Sequence, residues 1–201
     1  MRLALTFDDG PHTVTTPRLL DGLAAYNAKA MFFLLGESTE LNPAIAMRML
    51  AEGHAIGSHA YTHDDPLKLP PQAHEAQLDR ASQAFARLLS HSPNAYRPPY
   101  GHYNAAIVSQ AAARGMAMML WDLEVRDWDT RNADYTYTQL ITRVKDGDII
   151  LLHDVADETV DAVLRFVADI TEKSGVFLTP DAMFGGLAAG RVYGGGKEAA
   201  R

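Results

Sequence analysis

Two short stretches hold residue types that could do chemistry together. Thr6-Phe7-Asp8-Asp9-Gly10 sets adjacent carboxylates just past an apolar run, and His59-Ala60-Tyr61-Thr62-His63 sets two imidazoles four residues apart past another. The chain has no cysteine, so a bound metal would have to be held by His, Asp or Glu. One aspartate with His59 and His63 makes a plausible ligand set and leaves one carboxylate over, which a hydrolytic site could use as a base. Each stretch also has a plainer reading. Asp8-Asp9-Gly10-Pro11 is good turn chemistry, and a lone histidine is more often a satisfied surface or core residue than a ligand. The pair tips the balance, because neighbouring carboxylates repel unless a cation or an arginine offsets them. Gly57-Ser58 before the imidazoles and Asp64-Asp65-Pro66 after them favour a loop over a helical turn.

Three later segments add to the set. Arg97-Pro98-Pro99-Tyr100-Gly101 reads either as a stiff extended connection or as a device that aims the Tyr100 amide into a site. In the second reading Arg97 pairs with a carboxylate, Asp8 first among the candidates. In Glu124-Val125-Arg126-Asp127-Trp128, Trp128 reads as ordinary core, while Asp127 is hard to bury without a partner. Leu151-Leu152-His153-Asp154 ends an apolar run on a titratable ring. A carboxylate from 122–127 would hold that ring and raise its pKa, making it a proton donor near neutrality. His74 and His91 fall on or beside a polar helix, His54 begins a strand, and His102 follows a turn, all structural readings. His12 stays ambiguous.

The elements that must position these groups alternate along the chain. Short apolar runs at 2–7, 29–35, 54–58, 95–97, 116–121, 148–152 and 175–178 suit parallel strands covered on both faces. Helical spacing is clearest at 158–172, through Val160, Val163, Leu164, Val167 and Ile170, and recurs at 17–27, 43–52, 72–90, 103–114 and 136–145. About seven strands with intervening helices give an α/β chain, as a closed (β/α) barrel or an open wound sheet. The polar candidates all follow the C-terminal ends of proposed strands, which converge on one mouth in a barrel. That favours the barrel.

Size and charge bound the rest. The 201 residues are 47% hydrophobic and carry a net charge of −7, enough for one domain with a sizeable core. No basic run or membrane-length apolar stretch is present, so nucleic acid and membrane are not expected partners. Met1-Arg2 leads straight into Leu3-Ala4-Leu5 without a signal peptide. The expectation is cytoplasmic as the sequence stands, or secreted or periplasmic if the chain is trimmed from a longer one. Oligomeric state is left open.

The five segments, in this order, resemble the polysaccharide deacetylases of carbohydrate esterase family 4, the NodB-homology group. The resemblance implies a distorted (β/α) barrel over 1–188, followed by a Gly- and Ala-rich tail, 189–201, expected to be flexible. It implies one divalent metal, zinc first, with cobalt, nickel or manganese as substitutes. It also implies hydrolysis of N-acetyl groups on chitooligosaccharide- or peptidoglycan-like glycans. By the same resemblance Asp8 is the general base, Asp9, His59 and His63 are the metal ligands, and Arg97 orients Asp8. The Tyr100 amide is the oxyanion donor, Asp127 tunes His153 as general acid, and Trp128 and Leu151 wall the acetate pocket. Two positions depart from the family pattern: Ala60 where Ser or Thr is frequent, and Glu124 where Asp is frequent. Competing readings are an O-acetyl esterase on acetylxylan, a non-haem iron oxygenase built on Asp9, His59 and His63, and a non-catalytic glycan-binding relative.

Overall fold

The computed structural model describes residues 1–195. In chain order the elements are β1 (Arg2–Asp8), α1 (Thr15–Ala25), β2 (Ala30–Leu34), α2 (Gly36–Leu41), α3 (Pro43–Ala51) and β3 (Ala55–Ser58). Then come α4 (Pro71–Leu89), β4 (Ala95–Tyr96), a single 3₁₀ turn at Pro99–Gly101, α5 (Ala105–Ala112), β5 (Ala117–Met119) and β6 (Leu123–Glu124). The chain continues through α6 (Asp127–Thr130), α7 (Ala133–Arg143), β7 (Ile149–His153), α8 (Asp157–Glu172), β8 (Val176–Phe177), α9 (Pro180–Phe184) and β9 (Val192–Tyr193).

All strand pairs are parallel, in the order β6-β7-β1-β2-β3-β4-β5-β9, with β8 beside the start of β1. The sheet curls into the distorted (β/α) barrel that the sequence pattern favours. Its seam is crossed by the chain itself. The Leu120 amide donates to the Tyr193 carbonyl of β9, and two residues later the Asp122 amide donates to Ile149 of β7, both at 2.8 Å.

Alternation along β1 sorts its residues into two layers. Leu3, Leu5 and Phe7 join the outer core, where Leu19, Leu20 and Leu23 of α1 meet Val163, Phe166 and Val167 of α8. Ala4 points inward to Met31, Phe33, Ala95, Ala117 and Met119. Small alanines from three strands leave room inside the barrel for longer side chains. Thr6 and Asp8 continue the inward row toward the mouth, which the register places beside His153: Asp8 pairs with it across β1 and β7.

Three expectations needed correction. Part of the 189–201 segment is ordered sheet: Val192 and Tyr193 pair with Met118 and Met119, and the Tyr193 side chain is buried in the barrel interior. Residues 196–201 lie outside the described residues. His74 is not on a polar face; it is buried on α4, with Nδ1 against Gln110 and Nε2 3.0 Å from the Tyr96 hydroxyl. The 122–127 segment contains a short strand, β6, paired with β7.

Candidate active site

The strand ends deliver the polar groups, and three left-handed residues turn them to one side. Asp8 faces into the barrel as the last residue of β1, so Asp9 would ordinarily face out. Instead Asp9 has φ 72°, which swings both carboxylates to the mouth. Ala60 at φ 69° turns the chain just after His59, and Tyr100 at φ 61° reverses it after Pro99. Such conformations cost a non-glycine residue roughly 1 kcal/mol or more. Here they border one cleft of about 370 Å³, lined by Asp8, Asp9, His59, His63, Tyr100, Trp128, Leu151 and His153 among others.

Asp9, His59 and His63 present ligand atoms within 4.8 Å of one another. His59 Nε2 lies 3.5 Å and His63 Nε2 3.6 Å from Asp9 Oδ1. That oxygen is buried without a hydrogen-bond partner. The tautomer of His59 is fixed by its other nitrogen, because Nδ1–H donates to the Arg97 carbonyl at 2.6 Å. Nε2 therefore carries a lone pair into the cluster. Burial holds the ring neutral by lowering its pKa, against the opposing charges of Asp8 and Asp9. A buried orphan oxygen, a neutral imidazole with its lone pair inward and a second imidazole fit a divalent cation.

Behind this cradle lies Arg97, wholly buried. Its Nη1 donates to Asp8 Oδ1 at 2.8 Å and to Thr6 Oγ1 at 2.7 Å. Nε and Nη2 donate to the carbonyls of Met119 and Leu120, at the barrel seam. The guanidinium also sits 4.2 Å over the Phe33 ring. Thr6 in turn donates to the Ile150 carbonyl at 2.6 Å. Asp8 is thus oriented by a guanidinium that is itself held by β1, β2, β5 and the residue following β5.

Across the cleft, His153 has a carboxylate partner. Asp127, also buried, accepts from the His153 amide at 2.8 Å and the Thr159 hydroxyl at 3.0 Å, and from His153 Nδ1 at 3.2 Å. Burial alone would lower the His153 pKa. The hydrogen bond and charge of Asp127, with Asp8 and Asp9 beyond, outweigh it and raise it to about 9. His153 therefore holds a proton at neutral pH.

The remaining expected residues fall in place around these groups. The 3₁₀ turn closes through the Gly101 and His102 amides onto Pro98 and Pro99, and the Tyr100 amide takes no part in that closure. Gly101 has to be glycine twice over: its φ is +67°, and a Cβ would meet the Trp121 ring at 2.7 Å. Trp128 is 49% exposed on the wall, not ordinary core, and Leu151 is buried beside it on β7. Glu124 also lines the cleft. Ala60 does not leave its loop loose. Its amide meets Ser58 Oγ at 3.3 Å, its carbonyl takes the Gly36 amide, and Gln77 ties Thr62 to Asp64.

Two supporting residues had no role assigned from sequence, Thr6 and Asp154. Asp154 is fully buried, accepts the Thr16 hydroxyl at Oδ2 and, through its backbone carbonyl, the Thr15 hydroxyl. Its Oδ1 lacks a partner and leaves no room for a Cβ at Gly10, 2.8 Å away. Burial raises its pKa to about 6. The residue clasps the loop after Asp9 to the strand that carries His153. A usable signal existed for Thr6: it shares the inward face of β1 with Asp8, two residues on. His12, left ambiguous, offers Nδ1 to the Thr15 hydroxyl at 2.8 Å, at the start of α1.

Comparison with known proteins agrees with this geometry. The profile of the family described as polysaccharide deacetylase matches residues 1–119. The peptidoglycan-N-acetylglucosamine deacetylase PgdA of Listeria monocytogenes is 34% identical over 193 residues, 96% of this chain and 41% of that protein. The chain thus spans less than half the length of that relative. A chitooligosaccharide deacetylase of Bradyrhizobium sp. is 33% identical over 151 residues, 75% of this chain and 69% of the relative. Among solved structures, the peptidoglycan deacetylase PdaC of Bacillus subtilis superposes with a TM-score of 0.88 at 31% identity, covering 91% of this chain and 89% of that one. A family 4 acetyl xylan esterase from Clostridium thermocellum, solved with a cobalt ion, gives 0.88 at 28% identity, covering 98% and 100%. With strand order, cleft and sequence in agreement, the chain belongs to the polysaccharide deacetylase family.

Proposed function

We propose that this protein is a metal-dependent hydrolase that removes N-acetyl groups from amino-sugar glycans of the peptidoglycan or chitooligosaccharide type, releasing acetate. The observation that carries the reading is the pairing of opposite proton-transfer groups across one cation cradle. Asp8 is oriented by Arg97, and His153 is held protonated by Asp127. Asp9, His59 and His63 suit zinc first, with cobalt, nickel or manganese as substitutes. A divalent cation held there supplies Lewis acidity, making water more acidic and the acetyl carbonyl more electrophilic.

In this scheme Asp8 takes a proton from water as its oxygen attacks the acetyl carbon. The Tyr100 amide, free of the turn's own closure, donates to the developing oxyanion. As the carbon–nitrogen bond breaks, His153 passes its proton to the amine, which leaves as the free amino sugar. Trp128 and Leu151 wall the space for the methyl group. Carboxylate and imidazole sit on adjacent strands in one register, so the acid and base distance is set by backbone pairing.

The test is acetate release from N-acetylated chitooligosaccharides and peptidoglycan fragments, by chelator-stripped protein before and after zinc is restored. Activity should depend on the cation. Asp8→Asn should still bind one cation per chain while the rate falls about 10²–10⁴-fold. Acetate release at the wild-type rate by that variant would remove Asp8 from the mechanism. Faster release from acetylxylan than from the amide substrates would favour ester hydrolysis.

A further inference from the structure

We propose that Tyr100 and His102 form a subsite for the sugar next to the one bearing the scissile acetamide, with the His102 ring locked in place by Asp65. The inference rests on the glycan-deacetylase reading and adds where the rest of the chain lies. The left-handed turn at Tyr100 throws its side chain outward, leaving the residue 59% exposed. Its ring stands edge-on to His63, with centroids 4.6 Å apart. The His102 ring centroid lies 5.7 Å from that of Tyr100, with the two ring planes 37° apart. The two rings form a broad shelf running from the cation cradle over the rim.

His102 is the unusual member. Its side chain is half exposed. Even so it is not loose. His102 Nδ1 donates to Asp65 Oδ2 at 3.1 Å. The Asp65 side chain is itself only 8% exposed, accepts the Leu67 amide at 3.0 Å and pairs with Lys68 at 3.3 Å. A largely buried carboxylate is thus used to hold an exposed ring still, which stability alone does not call for.

The chemistry of the occupant follows from the shelf. A β-linked hexosamine presents a face of C–H bonds, which packs on aromatic rings, and a rim of hydroxyls that stay in water. Any glycan with its acetamide between Asp8 and His153 must continue out of the cleft, and Tyr100 followed by His102 is a ready path. Because the shelf is held before substrate arrives, little ordering cost is left to binding.

The experiment measures kcat/KM for acetate release by the zinc-loaded protein on N-acetylglucosamine and on its β-linked N-acetylated oligomers of two to five sugars. Wild type should gain about tenfold from the monosaccharide to the dimer, mostly through KM, the scale of one stacked ring. His102→Ala should lose most of that gain, with the dimer falling much further than the monosaccharide. His102→Phe, which keeps a ring without the Asp65 bond, should retain part of it. An unchanged chain-length gain in His102→Ala, or an equal fall on every substrate, would overturn the subsite. So would a wild type indifferent to length. Absence of acetate from every saccharide would instead overturn the deacetylase reading itself.

Discussion

The two walls of the cleft fix the groups proposed to transfer protons in different ways. On the base side, Arg97 ties Asp8 to Thr6 on β1, to the carbonyls of Met119 and Leu120, and to the face of Phe33. On the acid side, the Asp127 carboxylate bonds, among the described residues, to His153 and Thr159. The first arrangement is a brace across the barrel interior. The second is a local pair. Fixing a carboxylate near a cation cradle demands a permanent opposite charge that cannot titrate away, and an arginine in that position has to satisfy every donor. Keeping an imidazole protonated needs only one well-placed carboxylate.

If that contrast holds, the largest effect belongs to the brace. Arg97→Met should abolish acetate release and lower unfolding free energy by about 3–5 kcal/mol, because Asp8 is left buried and uncompensated. Denaturant unfolding measures this, and the double variant with Asp8→Asn should recover part of the loss. A change under about 1 kcal/mol would mean that the brace does not bear on the fold.

Asp127→Asn should spare the fold and move the pH profile. The protonated form of His153 is lost as pH rises through its folded pKa, about 9 in the presence of Asp127. Without that carboxylate burial dominates and pulls the pKa toward or below the ordinary imidazole value. The alkaline limb of kcat should therefore shift down by roughly 2 pH units or more. A bound cation offsets the Asp8 and Asp9 contributions in both proteins, so the difference between them is the quantity to measure. The same pair adds stability that is fully present below about 6.5 and lost as pH rises through about 9. An alkaline limb that stays put would break the assignment of the acid.

The smallest effect sharpens the base side. Thr6→Val removes one acceptor from Arg97 and one donor from the Ile150 carbonyl. It should lower kcat several-fold to tenfold with KM and cation binding little changed, and Thr6→Ser should restore the rate. Equal rates in Thr6→Val and wild type would show that Asp8 is held without Thr6.

Much of this was legible in the residues themselves. Near-continuous apolar runs at 2–7, 29–35 and 148–152 match β1, β2 and β7 closely, since strands buried on both faces leave little else to read. The pairings of Arg97 with Asp8 and of His153 with a carboxylate from 122–127 could be expected because buried charge needs a partner. Elements such as β6 and β9, two residues each, are too short for any periodicity to register. Val192 and Tyr193 sit among glycines, and only the open edge of β5 gives them a place. His74 looked polar by its neighbours on α4, yet its partners Tyr96 and Gln110 come from distant parts of the chain. Asp154 escaped for the same reason: Thr15, Thr16 and Gly10 lie some 140 residues away in sequence and only the fold brings them near.

The central place of β1 has a consequence for how the protein is made. Along most of its length its neighbours are β2, next in the chain, and β7, almost the whole chain later, with β8 beside its start. During synthesis Asp8 and the proposed cation ligands emerge early, while the strand that supplies His153 emerges near the end. The middle of the barrel must wait for that strand, and closing so long a loop slows folding. A nascent chain ending before residue 148 would carry Asp9, His59 and His63, proposed above as the metal ligands, but lack His153, the proposed proton donor, so the parts of the proposed cradle are made before the proposed acid.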